Sequence, residues 1–189
     1  MYAGKPQVEA ALATFLQAQR WFGGKARGLK TVRIVDWGLL RAGVAAVLTF
    51  AEVELGDGKI DLYFIPVAMA MNDGEAVVHD ALEEEGVRAA WLEVIADGGE
   101  FATETGRIRA FSTTAFKELR GPSDEALPTV LAPPTSSNSL IKYGSRLLLK
   151  LFRRPEPGVN PDLEIGRFLT ERSWFDHIPR LAGGVEYLR

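Results

Sequence analysis

Hydrophobic positions near the start of the chain recur at helical spacing. Val8, Leu12, Phe15 and Leu16 fall within residues 6–19, behind a proline that suits a first helical turn. The pattern therefore predicts an opening amphipathic helix.

The spacing then changes to the period of two that is typical of strands. The runs at residues 31–37, 44–55 and 60–69 are rich in β-branched and aromatic side chains. Gly56-Asp57-Gly58 separates the last two runs and is a strong hairpin signal. We expect three antiparallel strands in a meander.

Helical spacing returns at residues 75–96, where Gly86 predicts a break between two short helices. Residues 101–112 predict a further strand, and residues 114–119 a helical turn. Residues 121–139 contain four prolines with Ser, Thr and Asn, which predicts a linker. The pattern thus favours an α+β protein of two domains, a first stretch at residues 1–125 and a second stretch at residues 126–189.

The second stretch begins with two apolar runs, residues 139–143 and 146–152, joined by Gly144-Ser145, a dipeptide that fits a two-residue hairpin turn. Asn160-Pro161 then predicts a helix start. We expect a β-hairpin followed by a helix.

That helix is expected to end near residue 172. Its apolar members, including Leu163 and Phe168, are predicted to pack on the sheet, while Glu164 and Glu171 share another side of the helix.

Composition limits the class of protein. The chain has 189 residues, 47% of them hydrophobic and 25% charged, which is typical of a folded globular protein. No apolar run approaches the ~20 residues of a membrane helix, and the first residues do not resemble a signal peptide. We expect a soluble cytoplasmic protein that does not bind membranes.

Charge and cysteine content exclude further classes of function. The chain has no cysteine, which excludes disulfides and thiolate chemistry. Its net charge of −3 combines −6 before residue 140 with +3 from there on. This balance argues against nucleic-acid binding, and the mildly basic end suits a small anionic ligand.

Lys150 is the most informative single residue. It lies between Leu149 and Leu151 in an apolar run, where a buried ammonium would need a carboxylate partner. Glu164 or Glu171 could provide it. Protein-kinase-like folds use such a lysine, fixed by a helix acid, to hold nucleotide phosphates. The alternative is an edge-strand lysine whose ammonium stays in water.

A loop of small polar residues precedes the hairpin. Ser136, Ser137, Asn138 and Ser139 stand where a kinase-like fold has its phosphate loop, and their small side chains would let backbone N–H groups approach an anion. A solvated connector is the alternative, since the loop lacks G-x-G-x-x-G. The nucleotide hypothesis depends on the loop combined with Lys150 and the acidic helix.

A second glycine-rich segment is not interpreted as a phosphate site. Gly23-Gly24-Lys25 resembles the end of a P-loop, but Gln19 stands where glycine is required and Ala26 where serine or threonine is required. We interpret it as a helix end.

We expect neither a metal site nor a catalytic residue. His79 and His177 lack metal-ligand spacing and a nearby nucleophile. A sugar-binding role for the tryptophans is a weaker alternative, because core packing explains aromatic residues more often. They are Trp21, Trp37, Trp91 and Trp174.

Three segments together resemble one family. QRWFGGKAR, SNSLIKYGSRLLLKLFRRPEPGVNPDLEIGRFLTE and IPRLAGGVEY are similar to bacterial maltokinases, including the maltokinase domain fused to trehalose synthase. The resemblance implies a cap with a cystatin-like antiparallel sheet and helices, followed by a partial protein-kinase-like N-lobe. It also implies transfer of the γ-phosphoryl group of ATP to maltose with Mg²⁺, which yields maltose 1-phosphate for α-glucan and trehalose metabolism.

The resemblance assigns nucleotide-binding roles residue by residue. The loop from Ser136 to Ser139 matches the phosphate loop, Lys150 the phosphate-contacting lysine, and Glu164 the acid that orients it, with Glu171 in reserve. The family's His-x-Asp loop and metal-binding aspartate have no match here. We therefore expect a fragment of a maltose 1-phosphotransferase that is silent alone and binds neither ATP nor Mg²⁺ tightly.

One other class of function stays open. The chain could be a non-catalytic interaction module in which the acidic first stretch binds trehalose synthase or another glucan enzyme. A cleft lined by Lys150 would favour the kinase fragment, whereas a large apolar patch beside the acidic run Glu83-Glu84-Glu85 would favour the module.

Overall fold

The structure is a computed structural model, and it describes residues 4–41, 43–73, 75–133, 137–173 and 177–189. Within these ranges the strands are β1 (Leu29–Leu39), β2 (Val47–Leu55), β3 (Ile60–Asn72), β4 (Glu75–Asp80), β5 (Gly99–Ala102), β6 (Arg107–Ser112), β7 (Thr129–Leu131), β8 (Asn138–Tyr143), β9 (Leu147–Phe152) and β10 (Gly183–Leu188). The α-helices there are α1 (Lys5–Ala18), α2 (Glu85–Asp97), α3 (Phe116–Arg120) and α4 (Pro161–Arg172).

The first sheet is an antiparallel meander in the order β1-β2-β3-β4, and α1 packs against β1 and β4. The inner side of α1 buries Leu12, Phe15 and Leu16 in one hydrophobic cluster with side chains of β1, β2 and β3. The predicted opening helix and meander are thus confirmed. The mixture of helices and antiparallel sheets fits the α+β class, whereas the cystatin-like and kinase-like assignments stay predictions.

The predicted helix pair at residues 75–96 is half wrong. Residues 75–80 form β4, which pairs with β3 from Asn72↔Glu75 to Val67↔Asp80. A 3₁₀ turn at Ala81–Glu83 follows, and α2 is the α-helix of this range. The open edge of β3 provides hydrogen-bond partners that a short helix would not use, and β-branched valines suit a strand. Gly86 lies inside α2 and does not break it.

The other two sheets are also antiparallel, in the orders β10-β6-β5 and β7-β8-β9. Residues 101–112 form a hairpin of β5 and β6 instead of one strand. The predicted second hairpin is confirmed as β8 and β9, and Gly144 in its turn has the positive φ of 55° that such tight turns favour. The predicted linker contains β7, which extends this third sheet.

Strand β10 was not predicted from the sequence, and it pairs with β6 of the first stretch. At Gly183 a Cβ atom would lie 2.4 Å from the carbonyl oxygen of Phe111, so this close pairing requires glycine. The two stretches are therefore joined by a shared sheet, while their division into two domains stays a prediction.

The core is also shared between the two stretches. Leu48, Phe50 and Trp91 from the first stretch belong to the same buried cluster as Ile141 and Tyr143 from the second. The Tyr143 hydroxyl donates to the carbonyl oxygen of Arg88 at 2.7 Å, which joins the third sheet to α2.

Helix α4 begins where the sequence predicts. The Asn160 side chain accepts hydrogen bonds from the backbone N–H groups of Asp162 and Leu163, which satisfies two of the free donors of the first turn. None of its residues is buried, and Phe168, which was predicted to pack on the sheet, is 59% exposed. Among the described residues, no helix has both the length and the apolar character that crossing a membrane requires.

Candidate functional site

Lys150 lies on the outer face of β9, and its ammonium is not buried. The side chain is 42% exposed, and Nζ donates to Oδ2 of Asp162 at 2.7 Å. Nζ also lies 4.6 Å from the centroid of the Phe152 ring. The expectation of a buried ammonium is wrong, because β9 is an edge strand and solvent reaches this face.

The acid that pairs with Lys150 comes from the predicted helix but is not the predicted residue. Asp162 holds the ammonium, and the assignment of this pairing to Glu164 or Glu171 is wrong. Successive helical residues are rotated by about 100°, so Glu164 lies about 200° around α4 from Asp162. Glu171 shares the stripe of Glu164 and accepts from Nε of Arg167 at 3.2 Å.

The other side of α4 borders a shallow pocket of about 280 Å³ on the surface. Glu164, Arg167 and Glu171 line it together with Phe111, over whose ring the Arg167 guanidinium lies at 4.7 Å. The two predicted glutamates therefore belong to a surface that does not include Lys150.

The strand register separates the loop residues between two faces of the third sheet. Asn138 pairs with Phe152 and shares the face of Lys150, whereas Ser139 pairs with Leu151 on the inner face. Ser137 is exposed, and Ser136 lies outside the described residues. The hydroxyl of Ser139 is buried and accepts from Nε of Arg153 at 2.9 Å.

Arg153 is the buried cation of this region. It is 0% exposed, its Nη2 donates to Oδ2 of Asp80, and its guanidinium carbon lies 4.5 Å from the centre of the Trp21 ring. Burial lowers the pKa of Arg153, and the carboxylate of Asp80 opposes this effect. Its Nη1 has no hydrogen-bond partner among the described residues.

Sequence reasoning missed Arg153, although the sequence holds a signal for it. The alternation that places Lys150 outward places residues 147, 149, 151 and 153 inward. An arginine at an inward position requires a buried acid. The buried ion pair that was expected at Lys150 is therefore found at Arg153, three residues later.

A second ion-paired cluster lies beside the first. Asp61 is 6% exposed and accepts from Nη2 of Arg154 at 2.8 Å and from Nη2 of Arg27 at 2.7 Å. The backbone N–H of Phe64 donates to the carbonyl oxygen of Arg153 at 2.8 Å. The residues after β9 are thus held by both the side chains and the backbone of the first stretch.

A third polar cluster surrounds Asp36, which is 0% exposed. The hydroxyl of Tyr187 donates to Asp36 at 2.7 Å, and its ring stacks on Phe50 with the ring centroids 3.8 Å apart. Burial raises the pKa of Asp36, but hydrogen bonds from Thr103, Tyr187 and two backbone N–H groups outweigh it and lower the pKa below the ordinary value. Burial and Asp36 together raise the pKa of Tyr187 to about 12.

The rejected P-loop segment does not form the predicted helix end, because α1 already ends at Ala18 and Gly24 precedes a 3₁₀ turn at Lys25–Arg27. Nζ of Lys25 contacts the carbonyl oxygen of Ala18, the last residue of α1, at 3.5 Å. Trp21 and Phe22 are buried in the core. His79 lies 2.9 Å from Glu84 on the surface, through its Nε2 and the Oε1 of the glutamate.

Residues 15–93 match the family model of the maltokinase N-terminal cap domain. The matched range contains the first sheet and with it Asp36, Asp61 and Asp80. It ends before β9, which carries Lys150, and before Arg153, which follows that strand. The match covers 79 of the 189 residues and supports a relation of this chain to maltokinases.

Proposed function

We propose that this chain is the N-terminal portion of an ATP-dependent maltokinase and contributes part of its ATP site. The reaction would transfer the γ-phosphoryl group of ATP to maltose and form maltose 1-phosphate. The observation that carries the proposal is the match of residues 15–93 to the maltokinase cap domain. The surface around Lys150 supports the part that concerns ATP.

The outer face of the third sheet combines exposed apolar side chains with lysines, which would suit one side of a nucleotide site. Val130, Lys142 and Leu148 form one row across its three strands, and Lys150 lies in the next row, opposite Leu140. Val130 is 56% exposed and Leu148 58% exposed. An apolar surface beside an ammonium suits a flat base and its phosphates.

We propose that Lys150 binds phosphate oxygens and that Asp162 holds its ammonium in place until they arrive. The 2.7 Å ion pair is exposed, so an anion can replace or share the carboxylate at small cost. Ser137 and Asn138 would approach the same phosphates through backbone N–H groups. Ser139 contributes no hydroxyl to this face, because its side chain is buried on the inner face beside Arg153.

Mg²⁺ would neutralise the charge that develops on the phosphates during transfer. Within the described part of the chain, no group of three or more His, Asp or Glu side chains could hold a metal ion. We propose that the metal ligands and the base come from a catalytic lobe outside this sequence, so that the chain alone is catalytically silent.

The test is an amide NMR titration of the ¹⁵N-labelled chain with magnesium-free ATP. We expect shifts in β9 around Leu148 and Lys150, with a dissociation constant weaker than about 1 mM because half of the cleft is missing. Lys150→Met should abolish the shifts. Lys30→Met is the matched control, since Lys30 is an exposed strand lysine paired with Glu54 on another sheet.

Two results would contradict the proposal. Micromolar binding, or shifts centred away from β9, would mean that the site is elsewhere. Equal responses of the Lys150→Met variant and the wild type would remove Lys150 from the site.

A non-catalytic interaction module is the second candidate function. It is favoured by the exposed apolar side chains of Val159, Ile165 and Phe168 on and before α4, which another protein could cover. Trehalose synthase is the partner that the sequence resemblance suggests. Amide shifts in α4 on adding trehalose synthase, with no response to ATP, would favour the module.

A further inference from the structure

We infer that Arg153 is a positioning residue of the proposed ATP half-site, through which the first stretch fixes the end of the phosphate loop. This inference rests on the proposed function, since it concerns the same loop and the same lysine. It assigns to the first sheet a role in nucleotide binding that requires no contact with the nucleotide.

The guanidinium of Arg153 joins three separate parts of the chain. Nε donates to the hydroxyl of Ser139 at 2.9 Å, Nη2 donates to Asp80 at the end of β4, and its flat face lies on Trp21 after α1. Ser139 is 5% exposed and Asp80 is 4% exposed. Because all three groups are buried, solvent does not compete for these hydrogen bonds.

The position of Arg153 directly after β9 links it to both the loop and the lysine of the proposed site. Ser139 is the last residue of the proposed phosphate loop, and Arg153 is three residues beyond Lys150. In the hairpin, Asn138 pairs with Phe152 and Ser139 pairs with Leu151. The Arg153–Ser139 hydrogen bond adds a side-chain link at this end of the pairing. One side chain therefore fixes the loop end and the lysine strand relative to each other.

The first stretch holds Arg153 from two strands. Asp80 of β4 binds its side chain, and the backbone N–H of Phe64 in β3 donates to its carbonyl oxygen at 2.8 Å. Asp80 is itself fixed, because its Oδ1 accepts from the backbone N–H of Leu82 at 3.0 Å. The loop end is thus positioned from the first sheet through Asp80, Arg153 and Ser139 in sequence.

A purely stabilising role would not require a buried ion pair at this position. Buried ion pairs add little net stability compared with apolar side chains of similar volume, because both charges lose their hydration. An ion pair differs from apolar packing in that its hydrogen bonds have direction. The direction of the Nε–H bond towards Ser139 is what an apolar replacement would lose.

The test measures loop order and ATP response separately in the 189-residue chain. Ser139→Ala removes the acceptor of the Arg153 Nε–H bond and leaves the Asp80–Arg153 ion pair, and Ser139→Thr restores a hydroxyl. Asp80→Asn removes the charge that pairs with Arg153 but keeps an oxygen that accepts from the backbone N–H of Leu82. Asp61→Asn is the matched control, because Asp61 is a buried carboxylate of the first sheet that pairs with the neighbouring Arg154.

We expect amide hydrogen exchange at residues 137–141 to become about tenfold faster in Ser139→Ala and Asp80→Asn, which corresponds to the loss of one hydrogen bond. Exchange in β2 should not change. The ATP-induced shifts in β9 should weaken by about three- to tenfold at fixed ATP concentration for the same reason. Ser139→Thr should recover both signals, and Asp61→Asn should change neither.

The two readouts distinguish the possible failures. Unchanged exchange and an unchanged ATP response in Ser139→Ala, with ATP binding to the wild type, would overturn the positioning role alone. If the wild type does not respond to ATP, the proposed function fails, and with it the positioning of a nucleotide. Should Asp80→Asn fail to fold, the Ser139→Ala and Ser139→Thr pair decides the question.

Discussion

At the scale of single residues, two cations three positions apart have opposite environments. Lys150 keeps 42% of its side chain exposed beside Asp162, whereas Arg153 is 0% exposed against Asp80. An exposed ion pair contributes roughly 0–1 kcal/mol, because water and salt compete with it. A buried pair that loses one partner leaves an uncompensated charge and costs about 3–5 kcal/mol.

We predict that Arg153→Met and Lys150→Met differ strongly in stability. Arg153→Met should lower the free energy of unfolding by about 3–5 kcal/mol, because Asp80 stays buried without its partner. Lys150→Met should lower it by less than about 1 kcal/mol. Urea denaturation followed by circular dichroism measures both variants, and equal losses would contradict the structure of this region.

Tyr187 is the second residue whose contribution can be isolated. Tyr187→Phe keeps the stack on Phe50 but removes the hydrogen bond to buried Asp36. We expect the free energy of unfolding at pH 7 to fall by about 1–3 kcal/mol, which is typical for a bond to a buried charged group.

The loss in Tyr187→Phe should depend on pH at both ends. The pKa of folded Asp36 lies below its ordinary value of 3.8, so the stabilisation is present above that pH and is lost as the pH falls through the lowered pKa. The pKa of folded Tyr187 is raised from 10.0 to about 12, so its stabilisation is present below pH 10 and is lost as the pH rises towards 12. Urea denaturation series should therefore show a constant difference between wild type and variant from pH 5 to 9 that shrinks on both sides, and a pH-independent difference would contradict this account.

At the scale of elements, α4 depends on its first turn more than on packing. None of its residues is buried, and Asn160 caps the N–H groups of Asp162 and Leu163. Helices without a buried face derive little stability from tertiary contacts, so local interactions decide whether they form. The cap also holds Asp162, the partner of Lys150.

We predict that Asn160→Ala weakens α4. The free energy of unfolding should fall by about 1 kcal/mol, and amide exchange in residues 162–165 should accelerate. Asn160→Asp is the control, because a carboxylate oxygen accepts the same backbone hydrogen bonds and also favours the positive end of the helix. A matching loss in both variants would show that capping is not what Asn160 contributes.

Elements with their own local signals could be predicted, and those that depend on a neighbour could not. Asn160-Pro161 marks a helix start by its own chemistry, and period-two alternation separates Lys150 from Leu149 and Leu151 without showing which face is buried. The apolar pattern of residues 75–80 fits either a helix or an edge strand, and the free edge of β3 decides for the strand. Strand β10 begins with two glycines, which disfavour strands, and exists because β6 lies beside it.

The same distinction applies to the candidate site. The sequence could predict that a cation near the end of β9 needs an acid from elsewhere, but not which acid, since Asp80 is 73 positions away from Arg153. The choice of Asp162 over Glu164 depends on the rotation of α4 relative to the sheet. The apolar and polar pattern of the helix does not give that rotation, because none of its residues is buried.

At the scale of the whole molecule, the two stretches are held together by a common core and by buried polar links. Strand β10 pairs with β6, Tyr187 binds Asp36, and Arg153 binds Asp80. Such links make separate unfolding of either stretch costly, because each would leave a buried carboxylate without a donor.

We predict that the 189-residue chain unfolds in a single cooperative transition. Urea curves recorded by far-ultraviolet circular dichroism and by NMR signals from the first and third sheets should coincide. Two separated transitions would show that residues 1–125 and 126–189 are independent domains. Arg153→Met is the informative variant here, since loss of the Asp80 link should broaden or split the transition.

The location of Arg153 and Tyr187 late in the chain has a consequence for biosynthesis. Asp36 and Asp80 leave the ribosome long before the guanidinium and the phenol that complete their hydrogen bonds. Until these donors are translated, both carboxylates of the nascent first sheet are hydrated and its core is incompletely packed. We therefore expect the final consolidation of the first sheet to follow the translation of β10.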